Sequence, residues 1–93
     1  MTTEQWDHVN FDKIPNPAMR EGLERYLDTG QLPGRFLLAL LYNSLTGFYA
    51  QADEVNVKLA HEWAQWMHWE FPGSAWGSAE KVAAFSKKAK VPA

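Results

Sequence analysis

The chain has 93 residues, of which 46% are hydrophobic and 22% are charged, a composition typical of one globular domain and too apolar for a disordered chain. Nine basic and 11 acidic residues give a formal charge of −2, which argues against binding to the phosphates of nucleic acid. Because cysteine is absent, disulfides, thiolate metal sites and cysteine nucleophiles are excluded.

Residues 1–15 combine polar side chains with Trp6, Phe11 and Ile14 without a clear period. We predict an irregular N-terminal arm whose apolar side chains dock on the rest of the chain. The start lacks the basic and apolar regions of a signal peptide, and no apolar run in the chain approaches the ~18 residues of a membrane span. The prediction is therefore a cytoplasmic protein without membrane contact.

A first helix is predicted from residue 16, because Asn16 is a good N-cap and Pro17 suits the first helical turn. Gly30 can end this helix in a left-handed conformation. Inside it, Leu23 and Tyr26 recur at helical spacing with other apolar residues, so one face is expected to be buried.

A second helix is predicted from residue 35 in the segment RFLLALLYNSLTGFYAQ. Its apolar residues, which include Leu45 and Tyr49, cover well over half of a helical wheel and need cover on most sides. Arg35 and the free N–H groups at its start are a candidate anion site, or else a plain capped start. Asn43 falls on the apolar surface, where its amide either holds register between helices or faces a pocket.

Asp53 can cap a third helix that runs to about Phe71. Helical periodicity also permits an unbroken passage from the second helix, but a kink or short break near residues 43–54 is favoured. Pro72 and Gly73 then end the helical region.

The tryptophans of this third helix fall on different faces at 100° per residue. Trp63 and Trp66 share an inward stripe and are predicted to be core residues. Trp69 lies about 120° away from Trp63, where it is either a candidate anchor for a partner or covered by the arm or the last helix. His61 and His68 lie opposite the inward stripe, and about 10 Å of helix rise prevents them from sharing one metal ion easily. We interpret them as solvated histidines, with a metal site shared across an interface as the lesser alternative.

The segment SAWGSAEK precedes a short last helix that Ser78 can cap. Trp76, Ser78 and Lys81 form a candidate site for a planar or anionic group, although a turn around a buried tryptophan needs no ligand. No run alternates as a strand does, so the predicted class is all-α. The prediction is a small bundle of three to four helices, with a single helical domain at residues 16–90 and a tail at 91–93.

Catalytic signals are weak throughout the chain. HEWAQ lacks the second histidine of a zinc-protease motif, and no nucleophile elbow or ordered triad can be identified from spacing. The adjacent carboxylates Asp53 and Glu54 are explained by a helix start, where they oppose the dipole. We therefore predict no enzymatic activity, no cofactor and no metal site.

The ordered pattern IP…R…L…RYL…G…PG.FL.A.L.N.L, then AD..N…L…W, then P…WGS.EKV..F, resembles a group of small accessory proteins encoded by tailed bacteriophages. The resemblance covers residues 14–85. It is carried by Ile14, Pro15, Arg20, Leu23, Tyr26, Gly30, Pro33, Gly34, Phe36, Ala39, Leu41, Asn43, Leu45, Ala52, Asp53, Asn56, Leu59, Trp63, Pro72, Trp76, Gly77, Ser78 and Val82. It implies a setting in infection and no catalytic residue. Ser44 stands where the pattern has an acid, and a serine can still cap a helix.

Three hypotheses for function follow. The first is non-covalent binding to a host protein, in host takeover or inhibition of a defence. The alternative is an oligomeric sponge that sequesters a nucleotide-like, anionic small molecule, and the third is an enzyme. Self-association into a homodimer or a higher oligomer is also predicted, because the second helix is apolar on most sides and Trp69 points away from the core stripe. The rival explanation is that the arm covers these surfaces within one chain.

Overall fold

A computed structural model describes residues 9–90, and these residues contain six α-helices and no strand. The predicted all-α class is confirmed, whereas the predicted count of three to four helices is too low. Two 3-10 turns, Phe11–Lys13 and Pro17–Met19, precede the first helix. The helices are α1 (Arg20–Thr29), α2 (Arg35–Leu41), α3 (Leu45–Gln51), α4 (Glu54–Val57), α5 (Ala60–Glu70) and α6 (Ala79–Lys90).

The extra helices arise because the predicted second helix ends early, at a Schellman turn. Asn43 adopts a left-handed conformation with φ 60°, its N–H bonds to the Leu40 carbonyl, and the Ser44 N–H bonds to the Ala39 carbonyl at 3.0 Å. Ser44 then caps α3 by accepting from the Gly47 N–H at 3.0 Å. The break predicted near residues 43–54 is confirmed, and it begins between Leu41 and Leu45.

A second break separates α3 from α4, and a third separates α4 from α5. The Asp53 carboxylate accepts from the Asn56 N–H at 2.7 Å, so the predicted cap is confirmed. The helix it begins stops at Val57, however, and the chain makes a tight turn before α5 in which the Leu59 N–H bonds to the Asn56 carbonyl. The third helix predicted to run to Phe71 is therefore two helices.

Gly30 ends the first helix and Ser78 caps the last helix, as predicted, but the first helix does not begin after Asn16. Asn16 caps the Pro17–Met19 turn, and α1 starts after this turn, at Arg20. Gly30 ends α1 with φ 77°, and its carbonyl accepts from the Ser86 hydroxyl of α6 at 2.5 Å. Ser78 accepts from the Lys81 N–H at 3.1 Å and so caps α6.

The core lies between α1, α2, the inner face of α5 and α6, which contributes the buried Val82. Trp63 is fully buried, with its ring edge-on to Trp66 at 6.0 Å and to Phe36 at 5.9 Å between centroids. The prediction that Trp63 and Trp66 are core residues is confirmed. Tyr26 of α1 is also fully buried and donates from its hydroxyl to the Ala75 carbonyl at 2.6 Å; this burial raises the pKa of the phenol well above its ordinary value.

The described part of the arm docks on α5, as predicted. Val9 and Ile14 are buried, and the Trp66 indole donates to the Asn10 carbonyl at 3.1 Å. The Phe11 ring lies 5.6 Å from that of Trp66. Trp6 lies outside the described residues. The arm therefore covers the Trp66 side of α5 and leaves its other outward faces uncovered by residues 9–15.

Candidate functional site

An open groove of about 650 Å³ lies between α3 and α5, with α2 at its floor. We call it the α3–α5 groove. It is lined by Ala39, Leu40, Asn43, Ser44, Leu45, Phe48, Tyr49, Ala60, His61, Trp63, Ala64, Met67, His68 and Trp76. None of these described lining residues is Lys, Arg, Asp or Glu. The groove is therefore an apolar surface whose polar groups are neutral or histidine.

The α3 wall of the groove is formed by Leu45 and Tyr49, two of the apolar residues that the sequence predicted to need burial. Leu45 is 73% exposed and Tyr49 is 51% exposed. The Schellman turn changes the direction of the chain, so α3 does not continue the helical periodicity of α2. The side chains of Leu45 and Tyr49 therefore lie outside the core. Phe48, between them in sequence, turns inward and packs against Phe36 at 5.0 Å.

Gly47 allows α3 to lie close against α2. A Cβ at this position would stand 3.1 Å from the Cβ of Ala39 and 2.8 Å from the Ser44 hydroxyl. Any larger residue would therefore push α3 away from α2 or displace the cap. The close approach of α3 to α2 therefore sets the depth of the groove beside Leu45 and Tyr49.

The α5 wall presents His61, Ala64 and His68 on one face of the helix. Both histidines are exposed, as expected for side chains off the core stripe, although they border the same groove as Trp63 and Met67 of that stripe. The small side chains of Ala60 and Ala64 leave the middle of the groove shallow and open. A carboxylate to orient either imidazole is absent from the described lining residues.

Trp69 lies on the outer surface of α5, outside the groove. It is 75% exposed, the largest value among the large hydrophobic residues of the described chain. Its ring stands edge-on to His68, with centroids 4.7 Å apart and an interplanar angle of 85°. The prediction that Trp69 points away from the core is confirmed, and neither the described arm nor α6 covers it.

Two of the predicted site residues, Asn43 and Trp76, line the same groove although they are far apart in sequence. For Asn43 the sequence left two roles open, one in helix register and one facing a pocket. It is exposed and occupies the left-handed position of the Schellman turn, where asparagine is tolerated better than most residues. Facing a pocket was the alternative, and the structure places it there.

The other candidates do not assemble into one site. Ser78 caps α6, and the Gly77 N–H beside it donates to the Leu41 carbonyl at 2.8 Å. Lys81 and Arg35 are exposed, and neither lines the groove. The grouping of Trp76 with Ser78 and Lys81 is thus divided, because Trp76 faces the groove and Ser78 serves the helix end.

Sequence reasoning missed Asn56, which is only 2% exposed. Its side-chain oxygen accepts from the Trp63 indole at 3.0 Å and from the Asn16 amide at 3.1 Å, so it joins α4 to α5 and to the turn before α1. Its position on the same apolar stripe as Trp63 was a usable signal, since an amide there must find partners.

No protein-family model, curated protein or solved structure matches the chain. The resemblance to phage accessory proteins therefore stays a prediction. Within residues 9–90, no helix is long and apolar enough to cross a membrane. No group of three potential ligands among His, Asp and Glu lies close enough together in this part of the chain to hold a metal ion.

Proposed function

We propose that this protein acts by non-covalent binding to another protein, and that Trp69 is the anchor of the contact. The observation that carries the proposal is the 75% exposure of a tryptophan in a regular helix. Tryptophan is enriched among the residues that dominate binding energy at protein interfaces, because it buries a large area at a small cost in conformational entropy. The indole stands on a regular helix and packs edge-on against the His68 ring, a contact that favours this orientation before binding.

The partner that the phage resemblance suggests is a protein of the bacterial host. In that setting, binding would serve host takeover or the inhibition of a defence. An anchor on a rigid helix suits such a role, since the contact surface needs no folding step before it meets its target.

A nucleotide-like ligand in the α3–α5 groove is the alternative, and the volume of about 650 Å³ is in the range of small-molecule sites. Its weakness is charge. Phosphate recognition relies on Arg, Lys or converging N–H donors, and the described lining contains neither Arg nor Lys. The enzyme hypothesis is weaker still, because His61 and His68 have no carboxylate partner among the lining residues.

The test uses the wild-type chain, Trp69→Ala and a matched control as baits in a lysate of the bacterial host. Val55→Ala is the control, because Val55 is a hydrophobic residue of α4 that is 57% exposed and lies outside the groove. We expect a partner that the wild type and Val55→Ala retain and Trp69→Ala loses. With the purified partner, calorimetry should show affinity reduced by about 30-fold or more, the loss expected for an interface hot spot.

Two results would contradict the proposal. One is a partner held equally by all three baits, which would place the contact elsewhere. The other is the extraction of a nucleotide-like molecule from the purified protein together with no Trp69-dependent partner, which would favour the sponge.

A further inference from the structure

We infer that the α3–α5 groove is the contact surface between two copies of this chain, in a two-fold dimer in which Leu45 and Tyr49 of each copy enter the groove of the other. Trp69 does not line this groove, although His68 borders both, and the inference does not depend on the proposed function. It names the occupant of the groove as a second copy.

Shape is the first argument. Leu45 and Tyr49 are four residues apart on α3, so they form one ridge, and the groove opens directly beside that ridge. A ridge and a groove of the same apolar character on one surface are self-complementary. A two-fold rotation places each ridge in the opposite groove, which closes the assembly at two copies.

Charge is the second argument. A partner selected by charge would find no Lys, Arg, Asp or Glu to pair with among the described lining residues. A second copy brings an equally uncharged surface, so the contact buries no unpaired permanent charge. The formal charge of −2 is small enough that two copies repel each other only weakly.

Area is the third argument. Leu45 is 73% exposed and Tyr49 is 51% exposed, so each copy can bury two large side chains that are now largely in solvent, together with the groove surface that receives them. Ala60 and Ala64 on the α5 wall leave room for the ridge of the second copy to approach the helix backbone. A contact centred on two large side chains per copy is small beside the roughly 800 Å² per partner of a standard interface, which predicts a dimer that dissociates on dilution.

Sedimentation equilibrium at tens of micromolar tests the oligomeric state. For the wild type we expect a species of twice the 10.6 kDa chain mass. Leu45→Lys puts a charge into both ridges and should weaken association by at least about tenfold. Leu32→Lys is the matched control, since Leu32 is 43% exposed in the connection before α2 and does not line the groove; it should associate as the wild type does.

Cross-linking tests which surface is used. Because the natural sequence contains no cysteine, a single introduced thiol is unambiguous. Ala64→Cys in the groove should give a cross-linked dimer with a short bismaleimide, and Val55→Cys on α4 should give little. Circular dichroism checks folding, and Tyr49→Lys replaces Leu45→Lys if that variant loses helix.

A wild-type monomer at these concentrations would overturn the inference. So would a dimer that neither Leu45→Lys nor Tyr49→Lys weakens, or one that cross-links as well through Val55→Cys as through Ala64→Cys. Trp69→Ala should remain dimeric, so failure of the groove contact and failure of the Trp69 contact produce different results.

Discussion

Trp63 and Trp69 are six residues apart on α5 and have opposite surroundings. Trp63 is fully buried, packs against two aromatic rings and donates its N–H to Asn56. Trp69 is 75% exposed and has a ring contact with His68. Six residues turn a helix by about 240° beyond a full turn, which is enough to move a side chain from the core to the outer surface. Residue type therefore does not tell whether a tryptophan stabilises the fold or is available for binding.

The same contrast holds between α2 and α3. Leu40 of α2 is 8% exposed, whereas Leu45 of α3, five residues later, is 73% exposed. Asn43 and Ser44 stand between them and restart the helical phase. In each pair, we expect the buried residue to stabilise the fold and the exposed residue to contact another molecule.

The largest effect is expected at the inner tryptophan. Trp63→Ala should lower the free energy of unfolding by about 3–5 kcal/mol, because it removes a large buried ring and leaves a cavity. Urea denaturation followed by circular dichroism measures the loss. A loss no larger than that of Trp69→Ala would break the distinction between the two faces of α5.

Leu40→Ala should cost roughly 2–5 kcal/mol by the same mechanism. Leu45→Ala is the matched change in α3 and should stay within about 0.5 kcal/mol at a concentration low enough to keep the chain monomeric, since its side chain is then in solvent. The same denaturation measurement compares them, and similar losses would show that the break at Asn43 does not separate a buried helix from an exposed wall.

Asn56→Ala tests the polar support of the inner tryptophan. It removes the acceptor for the Trp63 and Asn16 side chains and should cost about 1–3 kcal/mol, because a buried donor is left unpaired. Gln65→Ala, which truncates an exposed amide on α5, serves as the control. If Asn56→Ala were as mild as Gln65→Ala, the hydrogen bonds to Asn56 would not hold Trp63 in place.

The smallest effects are expected at two exposed side chains of α5, Trp69 on its outer surface and His61 on the groove wall. Trp69→Ala and His61→Ala should each change the free energy of unfolding by no more than about 0.5 kcal/mol, since both side chains are exposed. Thermal unfolding in parallel with the wild type is sufficient to detect a larger change. A substantial loss at Trp69 would make it a structural residue and remove the basis for an anchor.

Local signals in the sequence determined the helical class and several helix ends. Gly30, Asp53 and Ser78 were identifiable because a cap is made within three or four residues of the helix end, by groups that the sequence places side by side. The inner stripe with Trp63 and the outward position of Trp69 were also predictable, since helical phase needs only the spacing of residues within α5.

Only the tertiary structure decided which apolar residues stay exposed and which distant residues meet. Leu45 and Tyr49 are large apolar residues of the kind usually found in a core, yet they line an open groove. Trp76 lies far along the chain from Asn43, yet both line the same groove. Burial depends on which remote surface reaches a side chain. The exposure of Leu45 and Tyr49 depends on Asn43, whose left-handed conformation ends α2, and on Gly47, which lets α3 pack closely against α2. The groove therefore results from the packing of the helices, which the spacing of residues along the chain does not specify.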